Sequence, residues 1–260
     1  MTMLSVDHGE LYYERTGQGP ALVFAHGLGG NYLVWWQQVA HFQDRYTCIT
    51  FSHRGFARSV EAPGSAGPDA FVDDLAALID HLALEDVRLV AQSMGGWTCM
   101  GYALREPARV RALVMAATPG SLADPAIDRA YAARAGEAGE LIARGIHPAC
   151  GERMAREQPA LHYLYQRLSE LNVDLDGDAV RRKLVALRVT TREQVAALPM
   201  PLLCISGEED VVFPTAGAEA FASLVPTAKL ERVPQAGHSV YFERPETFNR
   251  LLAEFLAASS

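Results

Sequence analysis

The chain of 260 residues lacks several features that would assign it to other classes. No apolar run approaches the roughly 20 residues needed to span a bilayer, so no membrane-spanning helix is expected. No cluster of Lys or Arg relieves a net charge of −8, which argues against nucleic acid and anionic membrane as partners. The segment Met1–His8 has neither a basic stretch nor an apolar stretch of an export signal, so a cytoplasmic protein is expected. Cys48, Cys99, Cys150 and Cys204 are far apart with no CxxC pair, which predicts buried free thiols rather than a disulfide framework. Metal patterns are also missing. His147, Cys150 and His162 match no ligand spacing and are expected to pack within a helical region. Asp174, Asp176 and Asp178 resemble a calcium loop only faintly. Ala179 stands where that loop needs glycine, so a solvated turn ahead of a helix is expected. No cofactor is expected either. There are no repeats and no low-complexity linker.

Apolar residues make up 49% and charged residues 21%, enough for a substantial core. Short apolar segments alternate with helical patterns, the signature of a parallel sheet with crossover helices. Buried strands are predicted at 21–25, 47–51, 87–91, 112–116 and 202–206, with outer strands at 11–15 and 229–233. Phe71, Val72, Leu75, Leu78, Ile79 and Leu82 form one helical stripe, and 245–256 reads as a second amphipathic helix. From Ser121 to Thr191 no buried strand is visible. This predicts a core of residues 1–120 and 192–260, interrupted by an inserted helical cap, 121–191.

Ser93 ends an apolar run, Val87-Arg88-Leu89-Val90-Ala91-Gln92, and precedes Met94-Gly95-Gly96 and a helix-compatible stretch. A sharp turn there would lift one hydroxyl clear of the sheet. A serine hydroxyl needs a base, and the base needs an orienting partner. His238, in Gln235-Ala236-Gly237-His238-Ser239, is the candidate base. Asp210, in Gly207-Glu208-Glu209-Asp210, is the candidate acid, with Glu208 or Glu209 as alternatives. The amides of Met94 and Leu28, the latter in His26-Gly27-Leu28-Gly29-Gly30, are candidate oxyanion donors. His26 is expected to buttress that loop. His8, His41, His53 and His81 stand in no motif.

Taken together, these motifs resemble the α/β-hydrolase family along nearly the whole chain, with Ser, Asp and His in the family's order. Two departures stand out. Ala91 replaces the usual glycine two residues before the serine, where a small side chain suffices. In Ser52-His53-Arg54-Gly55-Phe56-Ala57-Arg58-Ser59, Ser52 and Ala57 replace the family's Asp and second Gly, a change that bears on loop packing. The resemblance implies an α/β fold with a mostly parallel, doubly wound sheet. It also implies a serine hydrolase of a small, mostly apolar ester or lactone, acting as a monomer or homodimer. Trp36, Trp97, Tyr163 and Leu168 are candidate substrate contacts, and Tyr131, Met154 and Tyr165 share that position. Three rivals use the same fold: a C–C hydrolase of vinylogous diketones, a perhydrolase or haloperoxidase-like enzyme, and a ligand-sensing receptor.

Overall fold

A computed structural model describes residues 2–259. Nine strands among them form one sheet: β1 Met3–Val6, β2 Gly9–Thr16, β3 Ala21–Ala25, β4 Thr47–Phe51, β5 Val60–Glu61, β6 Val87–Gln92, β7 Val110–Ala116, β8 Leu202–Gly207 and β9 Ala228–Val233. Their order is β1-β2-β4-β3-β6-β7-β8-β9, with β5 on the flank of β2. The pairings of β2 with β1, β4 and β5 are antiparallel, and β4, β3, β6, β7, β8 and β9 pair in parallel in that order. Every residue of β3, β4 and β8 is buried, so those strands are covered on both faces, and their residues are mostly apolar, as a doubly covered sheet favours.

Alternate residues divide between two clusters, as the strand period of two dictates. Val23, Ile49, Leu89, Leu113 and Cys204 face helices α2 (Phe71–His81) and α3 (Gly95–Arg105). Leu22, Phe24, Val90, Val114 and Ile205 face Trp35, Phe42, Tyr241, Phe248 and Leu252 on the other side. That side carries α1 (Trp36–Phe42) and the C-terminal helices α11 (Val240–Glu243) and α12 (Pro245–Ala258). The four cysteines are buried and unpaired.

Between β7 and β8 the chain forms α4 Pro125–Ala133, α5 Glu137–Ala143, α6 Gly151–Glu157, α7 Pro159–Ser169, α8 Gly177–Ala186 and α9 Arg192–Ala196. Local sequence starts these helices. Asp124 accepts from the Ala126 and Ile127 amides, with Pro125 in the first turn of α4, and Thr191 and Gln194 make a reciprocal cap on α9. Asp176 caps α8 by accepting from Ala179 N–H at 2.9 Å. Helix α10, Thr215–Ala222, follows β8.

The departures in the 52–59 loop have local substitutes. Ser52 Oγ accepts from Tyr32 N–H at 3.1 Å, and Ser59 Oγ donates to the Ser52 carbonyl at 2.7 Å. Arg54 makes a buried double contact with Asp74 at 2.7 and 2.5 Å, tying this loop to α2. Ala91 is fully buried, so alanine is accommodated at that position.

Candidate active site

Ser93, at the end of β6, has φ of +50°, a left-handed conformation uncommon for a residue with a side chain. Its N–H donates to the Ala116 carbonyl at 3.0 Å, and its carbonyl accepts from Gly96 at 2.9 Å. The turn is possible because α3 starts against the sheet. A Cβ on Gly95 would overlap the Ala25 carbonyl, and one on Gly96 would overlap the Thr118 hydroxyl.

His238 lies in the loop after β9 and Asp210 in the loop after β8, so both follow the carboxyl ends of parallel strands, as Ser93 follows β6. His238 Nδ1 and Asp210 Oδ2 are 2.7 Å apart, both buried. A carboxylate can only accept, so Nδ1 donates in this contact, and in the neutral imidazole Nε2 is left with the lone pair. Asp210 Oδ1 accepts from the Val212 and Phe213 amides at 2.7 and 2.8 Å, which fixes the carboxylate plane. The alternative acids lie elsewhere. Glu208 is exposed, and Glu209 is held by Arg153 of α6 through contacts of 2.6 to 3.0 Å.

After β3, the loop Gly27–Gly30 closes through Gly30 N–H to the Gly27 carbonyl at 2.9 Å. A Cβ at Gly27 would collide with the Gln92 side chain. Neither the Leu28 nor the Met94 amide donates to a protein group among the described residues. Below the loop, His26 Nδ1 meets the Gly27 carbonyl at 2.8 Å, and its Nε2 accepts from His53 N–H at 3.0 Å. His53 Nε2 in turn meets Thr98 Oγ1 at 2.8 Å. Burial pushes His26 down to about 4, so this pair is uncharged at neutral pH.

One cavity of about 1210 Å³ is lined by Leu28, Ser93, Met94, Trp97 and His238, with Tyr131 of α4, Tyr165 of α7 and His147 from the loop between α5 and α6. Trp97 Nε1 donates to the Leu184 carbonyl at 3.0 Å, joining α3 to α8. Four of the expected substrate contacts are off the wall, Met154 among them, buried in the core. Trp36 is 45% exposed at the start of α1, while its neighbour Trp35 fills the core. Tyr163 is 61% exposed and lies under Arg167 on the outer face of α7. Leu168 is buried in the core, and its carbonyl accepts from Asn31. On α7 the inward positions are His162, Tyr165 and Leu168, three residues apart, which turns Tyr163 to solvent.

His147 was expected to pack, yet it stands on the cavity wall. Its Nδ1 accepts from Ala149 N–H at 3.2 Å, and His162 Nε2 accepts from the His147 amide at 3.2 Å. No motif surrounds it, so only the fold reveals this position. Among the described residues, no group of three or more His, Cys, Asp or Glu is arranged to hold a metal ion.

The alpha/beta hydrolase fold family matches residues 20–245. The chain belongs to this family. It is similar to RutD of Agrobacterium fabrum, provisionally named a carbamate hydrolase, at 26% identity over 96% of this chain and 97% of that protein. It is also similar to 3-oxoadipate enol-lactonase 2 of Acinetobacter baylyi, at 29% identity over 92% of this chain and 90% of the relative. Among solved structures, a thermophilic esterase from Thermogutta terrifontis superposes with a TM-score of 0.79, at 26% identity over 96% and 94% of the two chains. Among the described residues, no helix is long and apolar enough to cross a membrane.

Proposed function

We propose that this chain is a serine hydrolase of uncharged carboxylic esters, lactones included. The observation that carries the reading is the His238–Asp210 contact of 2.7 Å beside a serine in a left-handed turn, both opening on one cavity. Ser93 Oγ attacks the carbonyl carbon and gives its proton to His238 Nε2. The tetrahedral oxyanion is held by the Leu28 and Met94 amides. On collapse the C–O bond breaks, and the leaving alcohol takes the proton from His238. Water then gives a proton to the same nitrogen and attacks the acyl-enzyme, and on collapse His238 returns that proton to Ser93 Oγ as the acid leaves. Asp210 holds the imidazole tautomer and stabilises the imidazolium without taking its proton.

Residues 121–191 act as the cap, bounding the substrate cavity above the core of 1–120 and 192–260. An uncharged substrate suits the pairing of the wall arginines with carboxylates, Arg134 with Glu137 at 2.6 Å and Arg188 Nη1 with Asp128 at 2.6 Å, although Arg188 Nη2 is buried without a partner. The names of the enol-lactonase and the esterase support an ester or lactone. A carbamate would follow the same steps through a carbamoyl-enzyme. Four buried, unpaired thiols suit a cytoplasmic setting.

The test is covalent labelling with a fluorophosphonate, read by peptide mass. Addition is expected at Ser93, and Ser93→Ala should lower kcat on 4-nitrophenyl esters by roughly 10⁴- to 10⁶-fold. Lactones, carbamates and a dienone C–C substrate are assayed alongside. Labelling elsewhere, or normal turnover by the alanine variant, would remove the assignment.

A further inference from the structure

His147 has no role in the acyl transfer proposed above, yet it presents a hydrogen-bond donor to the same cavity. It sits in the loop between α5 and α6. Its Nδ1 accepts from a backbone amide, Ala149 N–H, at 3.2 Å. An amide can only donate, so in neutral His147 the ring proton is on Nε2. The ring stacks edge-on against Tyr165, with centroids 5.0 Å apart. Its Cε1–Nε2 edge faces the oxyanion loop, because a Cβ built on Gly29 would stand 3.1 Å from Cε1 and 3.2 Å from Nε2. Among the described residues, Nε2 has no hydrogen-bond acceptor. His147 and Gly29 both line the cavity that holds Ser93 and His238.

We propose that His147 Nε2–H is a third substrate-binding donor that selects uncharged esters and lactones carrying a second acceptor oxygen close to the scissile carbonyl. This rests on the serine-hydrolase reading. Nε2–H opens onto the cavity with no protein acceptor, so a ligand oxygen that meets it gains one neutral hydrogen bond in a site largely shielded from bulk water. The donor is neutral. Burial, reinforced by His162 and His238 on facing elements, pushes its pKa down to about 4. A neutral N–H suits an ether, ketone or second ester oxygen. It gives a carboxylate no counter-charge, and the arginines on the wall, Arg134, Arg181 and Arg188, already face Glu137, Asp178 and Asp128.

Two substrate pairs that differ by one CH₂-to-O exchange test this. On the acyl side they are 4-nitrophenyl pentanoate and 4-nitrophenyl 3-methoxypropanoate. On the alcohol side they are butyl butanoate and 2-methoxyethyl butanoate. In at least one pair the oxygen analogue should have a kcat/KM higher by about fivefold to tenfold, the scale of one neutral hydrogen bond. Each variant's ratio within a pair is the readout, which cancels differences in intrinsic reactivity. His147→Asn can still accept from Ala149 but does not reach the Nε2 position, so its ratio should fall several-fold. His147→Gln places an amide N–H near that position and should restore part of the preference. Melting temperatures check that the variants fold. If the wild-type protein labels at Ser93 but favours neither oxygen analogue, or if His147→Asn keeps the preference, the His147 assignment is overturned alone. If Ser93 does not label, the hydrolase reading itself fails.

Discussion

At the scale of single residues, the loop bearing His238 depends on a buried carboxyl that no motif announced. Gly237 N–H donates to Glu243 Oε1 at 2.5 Å, and Glu243 Oε2 is buried without a partner. Burial raises the Glu243 pKa to about 8. In the unfolded chain the same carboxyl loses its proton near pH 4.3. Between those values the folded protein holds a proton that the unfolded chain has released, so this group's contribution to stability is present at low pH and is lost as pH rises toward 8. Glu243→Gln keeps an acceptor for Gly237 and does not titrate. Its urea midpoint should therefore improve relative to the wild type from about pH 5 to about pH 8. A gap between the two proteins that stays flat with pH would contradict the buried-acid assignment.

At the scale of elements, α7 shows how a helix assigns neighbours in sequence to different tasks. Leu168 is 8% exposed within the core cluster, so Leu168→Ala should cost about 2–5 kcal/mol in urea unfolding. Tyr163 faces solvent, so Tyr163→Ala should stay within about 0.5 kcal/mol and leave ester preference unchanged. Trp97 is different, because α3 presents it to the cavity beside Ser93. Trp97→Ala should shift relative kcat/KM among esters by tenfold to a few hundredfold, the scale of about 1–3 kcal/mol of pocket contact. A large change from Tyr163→Ala and none from Trp97→Ala would mean the cavity wall has been misread.

At the scale of the whole molecule, burial is unevenly distributed. The central strands are buried along their length, while α5 buries only Leu141 and α8 only Leu184 among their described residues. Ile142, Leu171, Val173, Val185 and Val189, all between β7 and β8, are large apolar side chains open to solvent. Local opening is easiest where few apolar contacts are lost. In hydrogen exchange, amides of α5 and α8 should therefore exchange well before those of β3, β6 and β8. Equal protection across both regions would mean that the insertion and the sheet open as one unit.

Much of this was legible in the sequence, for physical reasons. A strand covered on both faces is predominantly apolar, so β3, β4, β6, β7 and β8 stand out, and β3 and β4 begin and end where expected. Ser93, Asp210 and His238 follow strand ends at turns whose glycines mark the close backbone approaches. Their types, order and spacing were readable before any contact was known. The two strands without a pattern in the sequence, β1 and β5, are short, β1 mostly half-buried and β5 exposed. They exist only because β2 offers them a hydrogen-bonding edge. The cavity wall was legible only in part: Trp97, Tyr131 and Tyr165 line it as expected, while Trp36, Met154, Tyr163 and Leu168 do not. Which side of α7 faces inward, which of Trp35 and Trp36 fills the core, and that His147 turns its Nε2 toward Gly29 depend on how separate helices settle against one sheet. Strand patterns and turn glycines are local properties that a sequence carries in itself. A cavity is a property of surfaces brought together from distant segments, so tertiary packing alone decided what lines it.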